Sequence, residues 1–132
     1  EYIEGVCDHI IGLSSAVKHQ RMCVKVGDGA PLIRDRIINQ LILRGLVTIQ
    51  VSEYKTSFGS RVKTHLRAAT RIALMSGDRV YKIRELRPTE GDLKEIQRQS
   101  RIISSGGLTI STELARLVAT GELTMEDAIK KA

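Results

Sequence analysis

Aromatic residues are nearly missing from this chain, which holds one Phe, three Tyr and no Trp in 132 residues. Without large rings, a buried core must be assembled from Ile, Leu, Val and Ala. With 42% of residues hydrophobic and 27% charged, there is apolar material for one domain, or two very small ones. The balance is not that of a disordered segment. The same scarcity of rings argues against an aromatic platform for single-stranded nucleic acid, which stacks bases on several of them.

The apolar residues are punctuated in ways that predict an order of elements. Residues 2–19 place Ile3, Val6, Ile10, Leu13 and Val17 at helical spacing. MCVKV (22–26) alternates like a short strand and stops at Gly27-Asp28-Gly29. Pro31 opens a second helix with Leu32, Ile33, Ile37, Leu41 and Ile42 as its apolar stripe and Gly45 as its stop. LVTIQVSEY reads as a strand, KTSFGS as a turn, RVKTHLRAAT (61–70) as the returning strand and RVYKIREL (79–86) as another. Beyond Pro88 the spacing predicts helices at about 90–103, 111–120 and 124–131, broken at Ser104–Gly107 and at Gly121, with Thr124 as an N-cap. The fold class expected is α+β, with N-terminal helices, a central antiparallel β-hairpin or three-stranded meander, and a C-terminal helical hairpin. The expected division is a mixed α/β domain with a basic hairpin over 1–103 and the helical hairpin over 104–132.

Charge is distributed unevenly. Residues 1–54 hold six acids and six bases, residues 55–87 nine bases against Asp78 and Glu85, and residues 88–132 six bases against seven acids. The net excess of +6 therefore comes from the centre of the chain. Lys55, Arg61, Lys63, Arg67 and Arg71 surround the expected hairpin, and Lys82 and Arg84 follow with Arg79 on the next strand. On one strand, Arg61, Lys63, His65 and Arg67 would share a face. Such a face attracts phosphates, and a helix at 31–44 followed by a basic hairpin at 47–70 has the outline of a winged helix. A solvated face, or one that docks an acidic protein, uses the same residues.

No G-x-x-x-x-G-K-[ST], no G-x-G-x-x-G after a strand, no G-x-S-x-G and no H-E-x-x-H is present. The chain is therefore expected to have no catalytic residue and no cofactor of its own. Cys7, His9, His19 and Cys23 are potential zinc ligands by type, but the knuckle spacing of a zinc site is missing. Cys7 reads instead as a small hydrophobe on a helix, and no metal is expected. No apolar run approaches the roughly 18 residues of a membrane span. Without a signal-peptide pattern, the expectation is a cytoplasmic protein with both thiols reduced. The first residue, Glu1, fits a piece cut from a longer chain.

The run GGLTISTELARLVATGELTMEDAIKKA (106–132) resembles the closing segment of the secretion-type traffic ATPases, the hexameric motors of type IV pili and of type II and type IV secretion. Gly106, Thr109, Leu114, Leu117, Gly121, Leu123, Thr124, Glu126 and Ala128 fall in that family's register, with Gly107 and Leu108 standing where it has Met and Gln. Upstream, LILRGLVTIQ (41–50), Gly59 with Arg61-Val62, and Ala69, Arg71 and Gly77 are similar to parts of the same family. The resemblance implies a motor subdomain that contributes subunit contacts in an oligomer. The family's nucleotide motifs would lie before residue 1, and no catalytic residue transfers. Three functions are thus in play: a motor subdomain, a small nucleic-acid-binding module, and a protein interaction or assembly domain.

Overall fold

The computed structural model describes residues 2–16, 22–52 and 64–132. They form two compact units, Tyr2–Arg84 and Glu85–Ala132. The class is α+β: helices and strands alternate in the first unit, and helices alone build the second.

The first unit contains α1 (Tyr2–Ala16), β1 (Cys23–Gly27), α2 (Pro31–Leu43), β2 (Val47–Val51), α3 (Thr64–Leu74) and β3 (Asp78–Val80). Its sheet has the order β1-β2-β3. β1 and β2 run parallel, from Cys23 opposite Val47 to Gly27 opposite Val51, and α2 connects them. β3 is antiparallel to β2, with Thr48, Ile49 and Gln50 opposite Val80, Arg79 and Asp78. Ile3 and Cys7 of α1 and Leu41 of α2 are buried together, with Ile10, Val24, Val26, Ile37 and Leu46 against them. This is the aliphatic core that the shortage of rings requires.

Strand alternation separates the two faces of the sheet. Val24 and Val26 join the core under α1 and α2, whereas Lys25 between them points the other way. There its Nζ donates to the carbonyl oxygens of Ala73 and Met75, at 2.9 and 2.7 Å. A cation on the orphan carbonyls ending a helix is favoured by both hydrogen bonding and the helix dipole. α3 therefore lies on the face opposite α1 and α2.

Gly45 ends α2 as the sequence predicts. At φ 78° it lets its own N–H reach Ile42 O (2.9 Å) and the Leu46 N–H reach Leu41 O (3.0 Å). Leu41 and Leu46 both belong to the core, so the turn is closed by hydrogen bonds and an apolar contact together.

The returning strand expected at 61–70 is a helix from residue 64 onward, because Thr64–Leu74 is α3. Two periodicities overlap in this stretch. The one that decides is Ala68, Ile72 and Met75, a helical stripe that buries Ile72 and half-buries the other two. Arg67 therefore lies on a helix and not on a strand face with Arg61 and Lys63. The antiparallel partner of β2 is β3, so the helix-then-hairpin outline at 47–70 is replaced by a β-α-β unit with an antiparallel third strand. The strand expected at 79–86 keeps only its first residues. The turn expected at 55–60, and the candidates Lys55, Arg61 and Lys63, lie outside the described residues.

In the second unit, α4 (Glu90–Ile103), α5 (Thr112–Thr120) and α6 (Met125–Lys131) stand where the spacing places them. Thr89 and Asp92 form a reciprocal capping box, and Ser111 and Thr124 cap the next two helices. α4 closes through Ser105 N–H to Ile102 O and Gly106 N–H to Arg101 O, with Ser105 at φ 57° in a position glycine usually takes. Two α4 side chains then hold the backbone of Ile110. Its N–H donates to Ser100 Oγ at 3.1 Å, and its carbonyl accepts from Gln97 Nε2 at 3.0 Å. Leu93, Ile110, Ala115, Ala119 and Ala128 are the buried apolar residues of this unit. Three of the five are alanines, which let helices approach closely.

Candidate functional site

Tyr2–Arg84 contains 14 Lys and Arg against six Asp and Glu, a net of +8, whereas Glu85–Ala132 contains seven against eight. The first unit thus holds the entire positive excess.

The structure sorts the candidate phosphate-binding residues. Arg67 and Arg71 are exposed on α3, four residues apart and so on one face of it. Lys82 is exposed just after β3. Arg79 is exposed on β3, opposite Ile49, which is itself opposite Lys25. Residues in one such cross-strand row project to the same face. Arg79 therefore emerges on the face of the sheet against which α3 packs.

Arg84 is placed differently. Its guanidinium pairs with Asp35 Oδ1 of α2 at 2.9 Å and donates to Gln50 Oε1 of β2. Asn39, one turn after Asp35, clasps the Arg84 backbone from both sides. Its Nδ2 donates to the Arg84 carbonyl and its Oδ1 accepts from the Arg84 N–H, both at 2.8 Å. Arg34 Nε also donates to Asp35 at 2.9 Å. Burial pushes the Asp35 carboxyl up, but the hydrogen bonds and charges of Arg34 and Arg84 outweigh it and hold it below its ordinary value. This cluster pins the segment after β3 to α2. It is built to satisfy its own charges rather than to receive a ligand's.

Tyr81 was not singled out by sequence reasoning. The Arg79 guanidinium carbon lies 4.7 Å from the centroid of its ring, a cation–π contact, and the residue remains 70% exposed. Its signal in the sequence is Arg-Val-Tyr alternation directly after Gly77-Asp78, which sets Arg79 and Tyr81 on one side of an extended segment.

Cys7 is fully buried in the core and Cys23 is exposed on β1. Burial pushes the Cys7 thiol up, away from a reactive thiolate. His19 lies outside the described residues, and among those described no three His, Cys, Asp or Glu side chains are grouped to hold a metal. No helix among the described residues is long and apolar enough to cross a membrane.

Several tail residues that resemble the traffic ATPases serve as helix ends here. Gly106 and Gly121 both have φ 83°, and Thr124 caps α6. Residues 89–132, which contain all three helices of the second unit, match the family model of a three helical bundle domain. That match covers a third of the chain and leaves the basic unit outside it. No curated protein and no solved structure matches the chain.

Proposed function

We propose that the first unit binds nucleic acid through its exposed basic surface, with Arg67 of α3, Arg79 of β3 and Lys82 just after β3 on phosphates. The observation that carries this reading is the separation of charge, +8 in Tyr2–Arg84 against −1 in Glu85–Ala132. Charge that served solubility alone would have no reason to collect in one unit. Arg67 and Lys82 are exposed and make no ion pair among the described residues, while Arg71 strengthens the field on the same helix face. Lys55, Arg61 and Lys63, close by in sequence, add to the same positive region of the chain. Phosphate contacts of this kind position a polyanion without reading its bases.

The test is fluorescence anisotropy with labelled DNA and RNA oligonucleotides over a series of salt concentrations. Each phosphate neutralised steepens the fall of affinity with salt by roughly 0.7 to 0.9 logarithmic units per decade. The double variant Arg67→Glu, Lys82→Glu is expected to weaken binding and flatten that slope by about two contacts. Absence of binding at low salt, or a variant that binds as the parent does, refutes the proposal.

A further inference from the structure

We infer that Tyr81 and Arg79 form a stacking position for an unpaired base, so that the basic unit takes single-stranded nucleic acid in preference to duplex. The inference rests on the nucleic-acid reading above and specifies its substrate.

An exposed tyrosine alone would be unremarkable, since isolated apolar side chains are common on surfaces. Its setting distinguishes this one. The guanidinium of Arg79 lies over the ring at 4.7 Å, and both groups are solvent-exposed. Lys82 follows directly, and Ile83 is 49% exposed beside it. Among the described residues β3 is an edge strand, with no further strand beyond it in the sheet. The result is an aromatic ring within a cationic field, presented where a chain can run along the sheet edge.

A polyanion explains the cations, but it does not explain an exposed ring among them. A nucleobase explains both, because its flat face stacks on the ring or the guanidinium while the flanking phosphates meet cations of the same unit, Lys82 next in sequence among them. Bases in a duplex already stack on their neighbours and offer no free face. The preference for single strands follows from that difference. The chain's scarcity of aromatics limits this to one stacking position and excludes a multi-ring platform.

The experiment measures affinity of the full chain for a labelled single-stranded DNA, the same sequence as RNA, and the corresponding duplex, in the parent and three variants. Single strands are expected to bind more tightly than duplex. Tyr81→Ala should lower single-strand affinity about ten- to hundredfold, with its salt slope and the duplex affinity unchanged. Tyr81→Phe keeps the ring and should bind like the parent. Arg79→Lys keeps the charge but loses the guanidinium plane, and should fall between them. Equal single-strand affinity of Tyr81→Ala and the parent, or no preference over duplex, overturns this inference while leaving the phosphate reading intact. Failure to bind any of the three probes at low salt overturns both. Comparison of the DNA and RNA arms shows whether the 2′-hydroxyl contributes.

Discussion

Replacing Gly77 with Ala should unseat β3, and the geometry sets the size of the effect. A Cβ at this position would land inside the van der Waals envelope of the Gln50 carbonyl oxygen, with the Gln50 carbonyl carbon and Ile49 Cγ2 each at 2.9 Å. Two of these three neighbours are backbone, so no rotamer change removes the overlap. To restore ordinary contact the chain before β3 must retreat by half an ångström from the 2.9 Å neighbours and further from the oxygen. A pairing of three residues tolerates little such movement. Losing about two inter-strand hydrogen bonds at roughly 1 kcal/mol each, with the packing of half-buried Val80, amounts to about 2–4 kcal/mol. Gly12→Ala is the internal control. Its Cβ would meet nothing within 4 Å in the middle of α1, and alanine there should stabilise by about 0.5–1 kcal/mol. Urea unfolding followed by circular dichroism gives both values, and amide exchange at Thr48 and Gln50 locates the loss. An unchanged midpoint for Gly77→Ala, or destabilisation as large for Gly12→Ala, refutes the close-approach argument.

Two further changes probe each unit's polar contacts. Asp35 has a folded-state carboxyl held below its ordinary 3.8, so its pairing stabilises the protein above that value and is lost as pH falls through it towards the folded one. Asp35→Asn should cost about 1–2 kcal/mol at neutral pH, with the gap to the parent closing below about pH 4; a gap that stays constant from neutral to acid pH would contradict the assignment. In the second unit, Ser100→Ala leaves the buried Ile110 N–H without its acceptor and should cost about 1–3 kcal/mol. Amide exchange at Ile110 should accelerate selectively, and unchanged protection there would show that Ser100 is not what holds it.

The parts of the fold legible in the sequence are those set by local chemistry. α4, α5 and α6 were readable because Pro88, Ser104–Gly107 and Gly121 punctuate the chain around them and Thr124 caps the last, and the structure adds Thr89 and Ser111 as caps of the other two. Gly45 was readable for the same reason. The middle of the chain was not, because the period-two alternation of 61–70 overlaps the helical stripe of Ala68, Ile72 and Met75. Their conflict is decided outside the segment: Ile72 finds burial in the first unit, and Lys25, forty-eight residues before Ala73, satisfies the end of the helix. A strand's partners are likewise a non-local choice. β2 pairs with a strand before it in parallel and with a later three-residue strand, neither of which its own residues specify.

The same division governs the candidate site. Net charge is additive, so the positive excess can be counted from the sequence alone. What each cation does depends on its neighbours, and here sequence position misleads. Lys82 and Arg84 are two residues apart with the same charge, yet only Lys82 faces solvent with no partner among the described residues. Arg84 is taken by Asp35, Gln50 and Asn39, three groups brought to it by α2 and β2. A charge-reversal series that includes Arg84 would therefore confound lost binding with lost stability. Arg67, Arg79 and Lys82 are the positions at which a change in affinity reports on the bound polyanion itself.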